Sequence, residues 1–176
     1  MMLHNTLALD AETSEVRGLA YQQVWQRPYI NRKQHETRAE RRKRTDKQSD
    51  RWLQAIREIG KPDTDATWVH VGDRECDIFD FFQTCVDTEV DFCVRIVQNR
   101  RIGNWSEDVP RYLISDLRQL EPMGYRTLRI EAQTGQPARE TKMAVGWQEV
   151  TIRSPRNRPG EETRLTLWAV RTWELD

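Results

Sequence analysis

The residues best suited to chemistry lie in the stretch Val69–Phe82, Val-His-Val-Gly-Asp-Arg-Glu-Cys-Asp-Ile-Phe-Asp-Phe-Phe. An apolar run ends there in Gly72 and Asp73, and apolar residues with helical spacing follow. An aspartate at the carboxyl end of a parallel strand, before a helix, lies where α/β sheets place their active sites. Its carboxylate would be a ligand for a hard cation such as Mg²⁺. A simple helix cap would have the same sequence, so both roles stay open for Asp73.

The segments around Asp73 predict a βαβ unit. Residues 67–73 and 90–97 are apolar strands, and the helical spacing between them begins at Ile78. Two strands joined by a helix in this way run parallel.

The N-terminal segments predict a hairpin and a helix. Residues 3–10 and 16–25 form two strands around a polar turn, and together they read as an antiparallel hairpin. Residues 46–60 predict an amphipathic helix that ends at Gly60.

The C-terminal half is different in character. Residues 106–120 predict a short helical region. Three alternating segments then predict an antiparallel sheet: 125–133, 142–153 and 163–173. We therefore expect an α/β core over residues 1–98 and a β-rich subdomain over residues 99–176.

Composition and charge narrow the function classes. The formal charge is zero, from 28 basic and 28 acidic residues, but residues 61–98 are acidic and both flanks are basic. That pattern suits a metal-dependent site acting on a polyanion. No apolar run approaches the roughly 20 residues of a membrane span, and the first residues lack the features of a secretory signal. Three cysteines without CxxC spacing argue against a disulfide framework, so we expect a cytoplasmic protein whose cysteines pack in its interior.

A basic segment, residues 31–47, has two interpretations of equal weight. It contains eight Lys or Arg residues against three acids and has almost no apolar side chain. It is either a solvated loop or an arm that contacts phosphates.

The string Val-Gly-Asp-Arg-Glu-Cys-Asp-Ile at 71–78 resembles the "DREAD" signature of DDE transposases of the insertion-sequence-four type, the group containing the transposon-five enzyme. Other features are similar in the same order: a preceding hairpin with a Trp-x-Arg-Pro ending at 25–28, Trp52-Leu53 in the intervening helix, Arg95, and a β-rich insertion. The resemblance covers nearly the whole chain. Each piece is weak alone, but the ordered set is specific.

The resemblance implies a partial RNase H-like core that carries an antiparallel β-rich insertion. The family holds two Mg²⁺ or Mn²⁺ ions with three acids, D, D and E, to cleave and join phosphodiesters at transposon ends. Asp73 matches the second aspartate, a catalytic metal ligand, and Arg95 matches a residue near the DNA phosphates. Arg74 and Glu75 share the motif, and the basic pair Arg100 and Arg101 would add DNA contacts. The implied partners are DNA and a full-length transposase or a second copy, at the bacterial nucleoid.

The departures from the family pattern concern the other two acids. The family's first aspartate lies on a strand before the hairpin, and its glutamate lies in a Tyr-(2)-Arg-(3)-Glu-(6)-Lys helix after the insertion. Neither is found in these 176 residues. Asp10 ends a strand, but too few strands separate it from the following helix, so it is a weak substitute. We expect the chain to be inactive by itself.

The missing strand has a structural consequence. RNase H-like sheets have the strand order 3-2-1-4-5, so the absent first strand is the central one. Its neighbours here, the first hairpin strand and the Asp73 strand, would lose a ladder partner. We expect them to pair directly with each other or to receive a strand from a second chain.

Two other interpretations remain. The chain could be a non-catalytic DNA-binding or regulatory remnant of a transposase, with phosphate contacts from its basic segments. In that case four tryptophans (105, 147, 168 and 173) could stack on bases, although tryptophans on alternating strands more often pack in a core. A stand-alone nuclease would need Asp10, Asp73 and Glu75 or Asp77 to converge. Helical geometry sends Glu75 and Asp77 to different faces, which disfavours it.

Overall fold

The structure is a computed structural model that describes residues 1–26, 49–63, 65–103, 109–155 and 162–175. These residues form a mixed α/β protein with more strand than helix, and most of its strand pairs are antiparallel. The chain divides into two compact units, Met1–Ile96 and Val97–Asp176. The basic segment at 31–47 and the Arg-Pro of the hairpin ending lie outside the described residues.

The first unit begins with an antiparallel hairpin, as the alternation predicts. Strand β1 (Met2–Leu9) pairs with β2 (Val16–Trp25), with irregular register after Thr6 and after Ala8. The connecting turn is held by Asp10, whose backbone carbonyl accepts from the Ser14 amide and whose own amide donates to the Glu15 carbonyl.

Helix α1 (Asp50–Ile59) packs against the hairpin through polar and aromatic contacts. The Arg51 guanidinium lies 3.7 Å from the centroid of the Trp25 ring, and Gln23 on β2 is hydrogen-bonded to Gln54 at 2.9 Å. Gly60 ends the helix at a φ of 67°, a conformation that glycine adopts without strain. The predicted helix began at residue 46; residues 46–48 lie outside the described part.

The βαβ unit around Asp73 is confirmed. Strand β3 (Val69–Gly72) is followed by a 3₁₀ turn (Arg74–Cys76) and helix α2 (Phe79–Asp87), and then by β4 (Asp91–Val94), which pairs with β3 in parallel. The core of this unit is apolar and aromatic. The Phe82 ring stacks on Phe92 with centroids 5.1 Å apart, and Cys85 is completely buried.

The described strands β1 and β3 are not paired with each other: β1 pairs with β2, and β3 pairs with β4. The expectation of direct pairing is therefore wrong for these residues. Within the described ranges, the ladders use one edge of each of these four strands, because the two pairs form separate two-stranded sheets. A strand supplied by a second chain stays a prediction.

The second unit is mainly an antiparallel sheet, as predicted. Its three strands pair in sequence order: β7 (Gly124–Ile130), β8 (Arg139–Arg153) and β9 (Arg164–Glu174). A short pair, β5 (Arg101–Ile102) and β6 (Arg111–Tyr112), and helix α3 (Leu113–Leu117) precede it. Of the helical region expected over 106–120, residues 109–120 are described; only Leu113–Leu117 are helical, and Arg111–Tyr112 form strand β6 instead.

None of the helices in the described residues has the length and apolar character that a membrane span requires.

Candidate functional site

Asp73 lies immediately after β3, at the carboxyl end of the strand, and its side chain is exposed. Its backbone is extended, and its Oδ1 accepts a hydrogen bond from the Glu75 amide at 2.9 Å. Asp73 therefore caps the 3₁₀ turn, which is the simpler of its two predicted roles. Capping uses one carboxylate oxygen, so Oδ2 can still serve as a ligand.

Arg95 lies beside Asp73 at the same end of the sheet. Val71 pairs with Cys93 and Gly72 with Val94, so the next step in this register sets Asp73 opposite Arg95. The Arg95 amide donates to the Gly72 carbonyl at 3.2 Å, which extends the ladder to this point. Strands in such a pair are about 4.8 Å apart. The site thus combines an exposed carboxylate with an exposed guanidinium on neighbouring strand ends.

Among the described residues, no ion pair joins Asp73 to Arg95 or to any other cation. Within that part of the chain the carboxylate has no cationic partner, and the Arg95 guanidinium can meet an incoming anion.

The remaining motif residues divide by exposure. Arg74 and Glu75 are exposed on the 3₁₀ turn, close to Asp73 in sequence, whereas Asp77 is only 1% exposed. Glu75 and Asp77 therefore lie in different environments, although Asp77 follows the 3₁₀ turn and is not part of a helix. This arrangement does not favour a nuclease in which Asp73 and Asp77 share a metal ion.

Gly72 explains how the turn fits so closely against the strand. A Cβ at this position would lie 2.6 Å from Sγ and 2.7 Å from Cβ of Cys76. The absence of a side chain lets the 3₁₀ turn fold back onto β3, and this contact fixes the position of the Asp73 backbone.

Asp10 has a structural role in the hairpin turn. Its Oδ1 accepts from the amides of Glu12 and Thr13, both at 3.0 Å, and its Oδ2 is 2.7 Å from Arg17. The Thr13 amide and the Arg17 side chain, with Glu12, lower the pKa of the Asp10 carboxyl to about 2. The groups that hold Asp10 in the turn already occupy both of its oxygens.

The donor set suits a divalent cation in type but not in number. An exposed aspartate carboxylate is a good ligand for Mg²⁺ or Mn²⁺. Across the part of the chain that is described, however, no three His, Cys, Asp or Glu side chains are grouped closely enough to hold a metal ion. Asp73 could contribute one ligand, and its co-ligands would have to come from other residues.

The predicted DNA contacts Arg100 and Arg101 belong to the second unit. The Arg100 amide donates to the Gln98 carbonyl and its carbonyl accepts from Leu113, while Arg101 pairs with Tyr112 in the β5–β6 ladder. Both side chains are half-buried. The structure thus places four of the predicted residues (Asp73, Arg74, Glu75 and Arg95) at one strand end and the other two in a different unit.

The cysteines were predicted to be buried, which is correct for Cys76 and Cys85 but wrong for Cys93. Burial raises the pKa of the Cys76 thiol to about 11, with a further contribution from the Asp73 and Glu75 charges. Burial likewise raises the pKa of Cys85 to about 12. Cys93 lies on the same exposed face as Val71. The alternation along residues 91–95 could have predicted that Cys93 is exposed, because Phe92 and Val94 take the covered positions of the strand.

The tryptophans of the second unit divide in the same way. Trp168 is 68% exposed and Trp147 is 38% exposed, whereas Trp173 is half-buried beneath the Arg171 guanidinium, 4.4 Å from its ring centroid. The interpretation as core residues is therefore wrong for Trp168. Trp147 pairs with Val170, two residues from Trp168, so the two exposed rings are diagonal neighbours on one face. Trp105 lies outside the described residues.

No protein-family model matches this chain, and no curated protein matches it either. The fold and the site define a mixed α/β protein in which a carboxylate and a guanidinium lie at the end of a parallel strand pair.

Proposed function

We propose that the chain is part of a cut-and-paste DNA transposase of the DDE type, in which Asp73 is a metal ligand and Arg95 binds DNA phosphate. The observation that carries this proposal is the position of both exposed side chains at the carboxyl ends of adjacent parallel strands. A carboxylate that can hold a cation, next to a guanidinium that can hold a phosphate oxygen, suits phosphodiester chemistry.

The strand pairing supports the same proposal. In an RNase H-like sheet of order 3-2-1-4-5, removal of the central strand would leave an antiparallel pair and a parallel pair. The first unit contains one pair of each kind, β1–β2 and β3–β4. The resemblance of residues 71–78 to the "DREAD" motif adds a second, independent argument.

In this proposal, the residues of the chain bind and orient the DNA phosphate and the metal ions. Arg95 would hold a phosphate through charge-assisted hydrogen bonds, and Asp73 would offer an oxygen of fixed position, because the Glu75 amide holds its carboxylate. Bound divalent ions would supply activation of water and then of a DNA 3′-hydroxyl. Since no residue of this chain matches the other two acids, the isolated chain would bind DNA ends without cutting them.

The test is DNA binding with matched arginine and lysine variants. We expect Arg95→Ala to weaken binding of a DNA duplex about three- to tenfold and to lower the salt dependence by about one phosphate contact. Lys61→Ala is the control, because Lys61 is exposed and pairs with Glu89 near the opposite ends of the same strands. Fluorescence anisotropy over a range of salt concentrations measures both quantities.

Equal affinity of the Arg95→Ala variant and the unchanged chain would contradict the phosphate role of Arg95. Cleavage assays with Mg²⁺ or Mn²⁺ test the expected inactivity of the isolated chain. Strong nicking of DNA that depends on Asp73 would show that this chain supplies all the metal ligands of its own active site.

A second candidate function is metal-independent DNA binding by a non-catalytic remnant, and the exposure of Trp168 favours it. Stacking on a base contributes about 1–3 kcal/mol per ring. We expect Trp168→Ala to weaken single-stranded DNA binding by that amount in the presence of a chelator, and Trp168→Phe to retain most of it. Unchanged binding by Trp168→Ala would remove this candidate.

A further inference from the structure

The hairpin of the first unit has an exposed apolar face. Six aliphatic side chains point to the same side, and each is between 51% and 61% exposed: Leu3, Leu7, Leu9, Val16, Leu19 and Val24. The strand register pairs them directly, Leu3 with Val24, Leu7 with Leu19 and Leu9 with Val16. We call these six residues and the Asn5–Gln22 pair between them the hairpin face.

The hairpin face carries no charge. Its only polar members, Asn5 and Gln22, are opposite each other and are joined by a hydrogen bond of 3.0 Å from Gln22 Nε2 to Asn5 Oδ1. The opposite side of the same hairpin is different, because Gln23 and Trp25 there contact helix α1. One side of the hairpin is therefore covered by a helix, and the other presents aliphatic side chains to solvent.

The size of this surface is what a small symmetric interface requires. Six aliphatic side chains at this exposure present on the order of 600 Å² of accessible apolar surface per chain. This is the upper end of the apolar patch size that a monomer usually exposes. Two such faces together would bury about 1,200 Å², the lower limit for specific interfaces.

We propose that the hairpin face binds the same face of a second copy of this chain. Two aliphatic sheet faces pack well against each other, since their side chains interdigitate. A face without charge is compatible with itself, because no like charges meet across a two-fold axis. The central Asn5–Gln22 pair gives amide donors and acceptors that can bond to their counterparts in the partner. This proposal does not depend on Asp73 or on the proposed function.

The test is the oligomeric state of the full chain as a function of concentration. We expect sedimentation velocity to show a monomer–dimer equilibrium over roughly a hundredfold range of concentration, with half-association on the order of 10 µM. Leu7→Glu and Leu19→Glu put a charge in the centre of the hairpin face and should raise that concentration at least about tenfold.

Val86→Glu is the matched control. Val86 is 45% exposed on helix α2, outside the hairpin face, so this variant should dimerise like the unchanged chain. Circular dichroism checks that each variant is folded. The measurement on the unchanged chain tests the proposal even if a variant fails to fold.

Three results would overturn the proposal: a monomer at all concentrations, dimerisation that survives both glutamate variants, or an equal loss of dimer in Val86→Glu. Dimers that persist in both glutamate variants would indicate association through another surface, such as the open edge of β1. DNA binding by Arg95→Ala is measured separately, so the two proposals can fail independently.

Discussion

At the scale of single residues, Gly72 is the position on which the geometry of the candidate site most depends. Gly72→Ala would bring a methyl group within 2.7 Å of Cys76, and either the turn or the strand would have to move. We expect a loss of about 1–3 kcal/mol in the free energy of unfolding, the usual cost of overpacking. Denaturant unfolding measures this change.

Gly18→Ala is the control for that substitution, because a Cβ at Gly18 would meet nothing within 4 Å. It should leave stability unchanged or raise it slightly, through the lower entropy of the unfolded chain. Equal effects of the two variants would show that the Gly72–Cys76 contact does not constrain the site.

The cysteines give a second prediction at this scale. Burial raises the pKa of the Cys76 and Cys85 thiols to about 11 and about 12, so both stay protonated and shielded at neutral pH. We expect a thiol reagent to modify the folded chain at Cys93 alone, since the thiolate is the reactive form. Mass spectrometry after brief labelling checks this, and Cys93→Ser should remove the reaction. Rapid labelling of all three would contradict the buried positions.

At the scale of elements, an ion pair links the neighbouring strands β8 and β9 at one end of the β-rich sheet. Glu174 at the end of β9 is paired with Arg139 at the start of β8 and also accepts from Thr141. The Arg139 and Thr141 hydrogen bonds lower the pKa of Glu174 from its ordinary value of 4.5 to about 2. A depressed pKa means that the contribution of Glu174 to stability is complete above about pH 4.5 and is lost as the pH falls towards 2.

We therefore expect the thermal midpoint of unfolding to decrease as the pH is lowered from 4.5 to 2. Glu174→Gln should reduce the part of this decrease that comes from the second unit. The side chain is exposed, so the effect is small, and high salt should weaken it further. Near-ultraviolet circular dichroism follows the tryptophans of the chain, which include Trp147, Trp168 and Trp173 of this sheet. A Glu174→Gln variant with the full acid response would show that this carboxylate is not the group that titrates.

The elements themselves could largely be predicted from the sequence. Alternation along 3–25 gave the hairpin, and the apolar spacing around Trp52 and Phe82 gave the two long helices, because burial of one face imposes a period that the sequence must carry. The ends were less accurate: β7 stops at Ile130 rather than at residue 133, since no periodic signal marks the last ladder bond.

The candidate site was predicted in part for the same reason. A strand that ends in Gly72-Asp73 before a helix predicts a carboxylate at a sheet edge. Arg95 was expected only from the family resemblance, and the parallel pairing of β3 with β4 places it beside Asp73. Exposure could not be predicted in the same way. Trp168 is of a type that usually packs in cores, and only the position of neighbouring elements decides which side of its strand is covered.

At the scale of the whole molecule, the two units differ in what their sheets leave open. Among the described residues, the first contains two separate strand pairs, and the second contains a continuous sheet of three strands and the short β5–β6 pair. A cation site at Asp73, a base-stacking surface at Trp168 and a dimer interface at the hairpin face are therefore local proposals, and each can be tested without the others.

The long strand β8 has a consequence for how the second unit comes apart. Strand β7 pairs with it over 139–145 and β9 over 143–153, so the two ladders overlap at Met143, Ala144 and Val145. Ala144 within that overlap is completely shielded from solvent. Most of the outer stretches pair with a single strand, whereas this tripeptide has to lose two strands before it opens. We therefore expect its amides to be the last of the sheet to exchange their hydrogens with deuterated water.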